Sequence, residues 1–182
     1  AGADIGRGAA SGYINLISKL PGLDSVNNAS VGFGTANKKR LTADLNQKVG
    51  ETAAIRLNVM AQDGDTDGRD HVANKGYAVA PAFALGLGTP TRFYLYSQHV
   101  RQDNVPDGGI PSIGMEGFYN ANARLQGGER VNRENYYGSK NDYEKVDSDL
   151  VTAKIEHDLA PGTTIRNTFR YGKTTMDRVM TG

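Results

Sequence analysis

Residues Gly6–Pro21 read GRGAASGYINLISKLP, and their organisation differs from that of everything after them. A glycine-rich turn feeds one short apolar strand, Tyr13–Ser18, and Pro21-Gly22 stops it and opens a linker to about Asn27. Beyond the linker come segments of about ten residues that alternate apolar and polar, the length a tilted strand needs to cross a bilayer. The contrast predicts the tail of one small domain followed by the start of a large β-barrel.

From Asn28 onward the period-two signal persists. Val31 and Phe33 alternate with Ser30 and Gly32. Leu41, Ala43 and Leu45 alternate with Thr42, Asp44 and Asn46. Ile55, Leu57 and Val59 alternate with Arg56 and Asn58. Tyr77, Val79, Phe83 and Leu85 alternate with small residues, and Phe93 and Leu95 alternate with Tyr94 and Tyr96. Val151, Ala153 and Ile155 alternate with Thr152, Lys154 and Glu156. Ile165, Phe169 and Tyr171 alternate with Arg166, Thr168 and Arg170. This pattern predicts seven strands.

Arg56, Lys154, Glu156, Arg166 and Arg170 fall mid-strand on the polar face. A water-filled lumen needs that face polar while lipid needs the other apolar. A half-exposed sheet of a soluble protein gives the same alternation, so strand length and the connections have to decide. Val49–Thr52, Gly88–Thr91 and Ala160–Thr163 are short, whereas Asp63–Asn74 and Asp103–Asp147 are long. Short turns on one rim and long loops on the other are the outer-membrane pattern. Two features fit less well. The connection Ala36–Lys39 is short on the long-loop rim, and Pro81 interrupts the fourth strand, where a local bulge is expected to absorb it.

Composition agrees with this reading. The 38% hydrophobic content is low for a soluble core, and barrel strands hide half their residues from lipid. No stretch approaches the ~18 apolar residues of a membrane helix. The net charge of +1 supplies no field for nucleic acid. With no cysteine, disulfides, thiolate metal sites and cysteine nucleophiles are excluded together. The chain starts without Met and ends just after a strand, so it reads as part of a longer protein.

At this point the motifs converge. Gly6–Pro21 resembles the end of the plug domain of TonB-dependent outer-membrane receptors, where an Ile-Asn-Leu-Ile-Ser-Lys strand follows a glycine-rich turn. Asn104-Val105-Pro106-Asp107-Gly108-Gly109-Ile110-Pro111 resembles the start of a long extracellular loop in the siderophore-receptor branch. Ala153–Asp158 with Thr164–Thr168 resembles the hairpin after that loop in catecholate siderophore receptors. The resemblance implies an all-β, antiparallel barrel of about 22 strands, of which this chain supplies roughly the first third. Residues 1–22 would be the C-terminal end of the plug, and residues 23–182 the first barrel strands. It further implies uptake of ferric siderophore with iron as cargo, no covalent cofactor, a TonB partner acting through an upstream plug segment, and residence in outer-membrane lipid. The mid-strand charges Arg56, Lys154, Glu156, Arg166 and Arg170 would line the lumen.

Other motifs carry less. The glycines Gly6, Gly8 and Gly12 precede an extended segment instead of a helix, so the dinucleotide fingerprint lacks its context. Asp63, Asp65 and Asp67 followed by Gly68 look like the opening of a calcium loop. The twelfth position is Asn74 rather than a bidentate Glu, which favours a solvated acidic loop. His71, His99 and His157 do not share metal-ligand spacing, and the latter two are expected near the barrel rims. No serine lies in a nucleophile elbow, and nothing points to an enzyme.

The long loop is the best functional candidate. Tyr119, Arg124, Arg130, Arg133, Tyr136, Tyr137 and Lys140 are its candidate ligand residues. A ferric tris-catecholate is a bulky trianion with aromatic faces, suited to cations and rings. Glu116, Glu129, Glu134, Asp142 and Glu144 share the loop, so it is not a simple basic patch. Receptors for hydroxamate siderophores, cobalamin or glycans remain alternatives, as do a passive barrel pore and a soluble all-β binding module.

Overall fold

In the computed structural model, residues 18–181 are described. The expected strand Tyr13–Ser18 therefore lies outside the described residues except for Ser18, which has no regular structure. The seven strands are β1 (Val26–Phe33), β2 (Lys39–Lys48), β3 (Ala54–Asp65), β4 (Ala73–Leu85), β5 (Thr91–Val105), β6 (Tyr143–Ala160) and β7 (Thr163–Val179). They form one antiparallel meander in chain order. Among the described residues the only helix is α1 (Ala123–Gln126), a single turn whose N-cap Asn122 accepts from the Arg124 amide.

Register explains how the alternation becomes two faces. Odd-numbered residues pair with odd-numbered ones across every strand boundary. One cross-strand row reads Gln47, Ile55, Phe83, Leu95, Ala153, Phe169, and the neighbouring row on the other face reads Asn46, Arg56, Ala82, Tyr96, Thr152, Arg170. The odd face leaves Val31, Leu41, Leu57, Leu95, Ile155 and Phe169 exposed. That is an apolar band ready for lipid. The even face carries the small buried core of Ala54, Ala84, Leu87 and Tyr94, with Leu20 and Tyr96 packed on it.

The strands lengthen along the chain, from 8 residues in β1 to 18 in β6 and 17 in β7. A tilted crossing needs about 9–11 residues, so β5, β6 and β7 project past the membrane on the long-loop side. Their odd face there turns from apolar to charged, with Arg101, Asp103, Lys145, Asp147, Asp149, Lys173 and Asp177. His99 sits at this margin, its Nδ1 2.6 Å from Asp149. His157 lies near the opposite rim, its ring 2.8 Å from the Thr91 hydroxyl.

Several expected boundaries move. Asp63 and Asp65 belong to β3, so the β3–β4 connection shrinks to residues 66–72, and the long loop runs over residues 106–142. Polar sequence concealed these strand extensions because they stand in water, where neither face needs to be apolar. The first connection is indeed tight. Ala36 and Asn37 both take positive φ, near 55°, and Gly34 donates to the Lys38 carbonyl.

The expected bulge at Pro81 is not found. Pairing of β4 with β5 stops between Val79–His99 and Ala82–Tyr96, then resumes in unchanged register. The missing N–H is absorbed as a gap in the ladder on the β5 side, while Pro81 still pairs with Leu57 of β3. A register shift occurs instead at Leu159, beside the Pro161-Gly162 turn.

The β4–β5 turn needs glycine at one position in particular. Gly86 has φ near 72°, and a Cβ there would collide with the Thr91 carbonyl oxygen. Both the left-handed backbone and the lack of space oppose a side chain. Gly86→Ala should destabilise the folded barrel by about 2 kcal/mol, read as a lower urea midpoint of the full-length protein in detergent.

Candidate functional site

Two regions of the described chain gather polar side chains into defined constellations: the even face of the sheet, and the loops at the tall rim.

On the even face, β2 and β3 hold the segment that precedes β1. Asp44 accepts from Arg56 at 2.8 and 2.7 Å and from Lys19 at 3.0 Å. Arg56 also donates to the Leu20 carbonyl at 2.9 Å. The buried Asn46 accepts from the Gly22 amide at 3.1 Å and donates to the carbonyls of Gly22 and Asp24. Both residues sit on β2 at successive positions of one face, so a single strand aims two polar groups at one stretch of backbone.

Farther round the same face, Glu156 is the centre of a charge cluster. Its carboxylate lies 3.1 Å from Lys154, 3.2 Å from Arg92 and 3.2 Å from Arg166. Arg92 also forms a two-bond fork with Asp158, both at 2.9 Å. Lys154 stands 4.7 Å from the centre of the Tyr94 ring, a cation–π contact. Arg170 approaches only the Thr152 hydroxyl, at 3.4 Å. The structure thus puts Arg56, Lys154, Glu156, Arg166 and Arg170 on one face. Arg56 stands with Asp44, Lys154 and Arg166 join Arg92 around Glu156, and Arg170 lies apart on β7, opposite Thr152.

At the tall rim the candidate ligand residues separate into two kinds. Tyr119 is 84% exposed. Arg124, Arg130, Arg133 and Lys140 are exposed as well. Tyr136 and Tyr137 are half-buried and serve the loop itself. The Tyr137 hydroxyl donates to the Asn132 carbonyl at 2.9 Å, and that of Tyr136 to Asp142 at 3.1 Å. The Tyr136 ring lies 5.1 Å from the His71 ring. Asp142, only 4% exposed, also accepts from the Ser139 and Thr181 amides and from the Thr181 hydroxyl. These bonds, led by the Thr181 amide, hold its carboxyl below the usual carboxylate range. Burial and the adjacent Asp142 push the Tyr136 phenol up.

The acidic stretch of residues 63–68 serves as a brace for the first hairpin. Asn37 donates to Asp65, and Asp67 accepts from Thr35 and Lys38. Among the described residues no three His, Asp or Glu side chains gather as a metal site would require. Asp44, Arg69, Arg92, Asp107 and Asp158 also take part in these constellations and were not among the candidate site residues. Asp44 was visible as a charge in the period-two pattern, and Asp107 lay inside the quoted NVPDGGIP run. Arg69, between two acidic residues of a loop, carried no signal that pointed to its partner.

No protein-family model matches the chain. The catecholate siderophore receptor Fiu of Escherichia coli K12 is 46% identical over 99% of this chain and 24% of that receptor. The crystal structure of Fiu, a ferric-catecholate import receptor, in its open form superposes with a TM-score of 0.91 at 45% identity, covering 99% of this chain and 28% of that one. The chain belongs to the TonB-dependent receptors. The siderophore receptor PiuA of Acinetobacter baumannii superposes with a TM-score of 0.85 at 34% identity, over all of this chain and 26% of that one. The chain spans about a quarter of the length of the curated relatives it matches. Its sheet is wall of an outer-membrane TonB-dependent receptor barrel, with an odd face apolar enough for lipid and an even face polar enough for a wet interior.

Two outcomes are expected. In the full-length receptor, Asp44→Ala should free Lys19 and Leu20 from the wall. Trypsin cleavage after Lys19 should rise about tenfold, the opening equivalent of one charge-assisted contact. Secondly, the lowered carboxyl of Asp142 means that the folded loop binds protons less readily than the unfolded one. The attachment of Thr181 and Ser139 should persist at every pH above about 4, the unfolded carboxylate value, and fail as pH falls through the lower folded value. Amide-exchange protection of Thr181, corrected for intrinsic rates, checks this.

Proposed function

We propose that this chain forms the plug end and opening barrel strands of a receptor that captures a ferric siderophore of the catecholate type and admits it to the periplasm. The observation that carries the reading is the 46% identity to a catecholate siderophore receptor across 99% of the chain, loop 106–142 included. Residues 1–22 are the end of the plug domain and residues 23–182 the barrel. The bonds from Asp44, Asn46 and Arg56 to residues 19–24 support a plug joined to the wall at this point. Energy arrives from TonB through plug sequence upstream of Ala1, and iron passes as cargo with no covalent step.

In this reading the exposed Tyr119, Arg124, Arg130, Arg133 and Lys140 meet the ligand. Arginine and lysine neutralise the trianion, and the aromatic ring lies against a catechol face. Tyr136 and Tyr137 support the loop from within. On the inner face, Arg92, Lys154 and Arg166 outnumber the two carboxylates they contact, Glu156 and Asp158. That excess suits a path along which an anion moves.

Growth of iron-starved cells that lack their own catecholate receptors tests the proposal. With the full-length gene, ferric catecholate should restore growth only when TonB is present, and ferric hydroxamate should not. Rescue by hydroxamate would refute the ligand class. Rescue by neither, with folded protein in the outer membrane, would refute iron uptake.

A further inference from the structure

Loop 106–142 is long and carries most of its candidate ligand residues on exposed stretches, yet one side chain from outside it ties its two ends together. Arg69, in the connection between β3 and β4, has a side chain only 12% exposed. Its guanidinium makes a two-bond fork to Asp107, at 2.8 and 2.6 Å. The same group donates to the Gly109 carbonyl at 3.1 Å and to the Arg133 carbonyl at 2.5 Å. Next to it, the Asp70 amide donates to the Glu134 carbonyl at 2.6 Å. One residue outside the loop thus joins its outgoing end, residues 107–109, to its returning end, residues 133–134.

The geometry points to Arg69 as the positioning residue of the ligand-binding loop, setting affinity for the ferric siderophore without touching it; this rests on the loop reading given under the proposed function. Three properties support the assignment. The planar guanidinium is rigid and fork-shaped, so it fixes direction as well as distance. All of its bonds go to groups within the loop. The segment between the tied ends, residues 110–132, contains Tyr119, Arg124 and Arg130, and Arg133 itself is held through its carbonyl. Ordering these side chains before the ligand arrives lowers the entropy lost on binding. Lysine, a flexible point charge, could satisfy Asp107 but not both carbonyls in the same plane.

The test uses the full-length receptor in cells, with radiolabelled ferric tris-catecholate as the probe. Arg69→Ala should raise the half-saturating concentration about tenfold, the loss of one charge-assisted pair, and leave the maximal uptake rate within about twofold. Arg69→Lys should recover only part of the affinity. Amide exchange at residues 107–109 and 133–134 should quicken in Arg69→Ala, with Tyr136–Asp142 unchanged. Unaltered half-saturation in Arg69→Ala would overturn the inference, as would a loss confined to maximal rate. Should Arg69→Ala fail to reach the outer membrane, Asp107→Asn is read by the same criterion. A receptor lacking residues 112–131 separates the two claims. If that deletion leaves uptake intact, the loop reading itself fails. If it abolishes uptake while Arg69→Ala binds normally, only the positioning role falls.

Discussion

A polypeptide inside hydrocarbon has no water with which to bond its amides, and the rest of this structure follows from that requirement. Each strand must find partners for its N–H and C=O groups in its neighbours. Strands β2 to β6 do so on both sides and β1 and β7 on one side each, and odd residues stay opposite odd residues from β1 to β7. A single slip would turn a strand's apolar set inward and present its charges to lipid. Pro81 shows how tightly register is held. The ladder gives up bonding beside it, yet the alignment on either side is unchanged. The one shift, at Leu159, occurs at the turn rim, after the last cross-strand pair of the apolar band.

The inner face answers a different demand. It need not be apolar, so it can store charge, provided that charge is matched. Asp44 with Arg56 and Lys19, and Glu156 with Arg92, Lys154 and Arg166, are local solutions built from residues at adjacent register positions. The first group recruits the chain entering the barrel. The second leaves a surplus of cations on the same face. Strand periodicity is thus what brings Arg92 of β5, Glu156 of β6 and Arg166 of β7 into contact despite their separation in sequence.

Sequence made the barrel legible because lipid enforces alternation. The mid-strand charges Arg56, Lys154, Glu156, Arg166 and Arg170 could be assigned to one face from parity. Their partners were harder, since parity names a face and leaves the register open. The ends of β5 and β6 that flank the long loop were assigned to that loop for a related reason. Above the membrane the constraint lapses, and residues such as Glu144, Lys145 and Asp147 look the same in a hydrated strand as in a coil. Loop contacts were the least legible. The bond between Arg69 and Asp107 spans 38 positions and has no periodicity behind it. Likewise, Tyr136 and Tyr137 drew attention as aromatics in a loop, but their hydroxyls are committed to Asp142 and Asn132 within it.

The unequal strand heights have a mechanical meaning. The apolar band on the outer face climbs to Phe33 in β1 but stops at Tyr171 in β7, six residues lower in the shared register. With about 3.3 Å per residue along strands tilted by about 40°, the β7 edge therefore stands on the order of 15 Å prouder of the membrane than the β1 edge. The rim of this sheet is a slanted parapet, low at β1 and β2 and high at β6 and β7. Loop 106–142 is hung from the high side as a boom is hung from a mast, and the arginine of the β3–β4 connection acts as its stay.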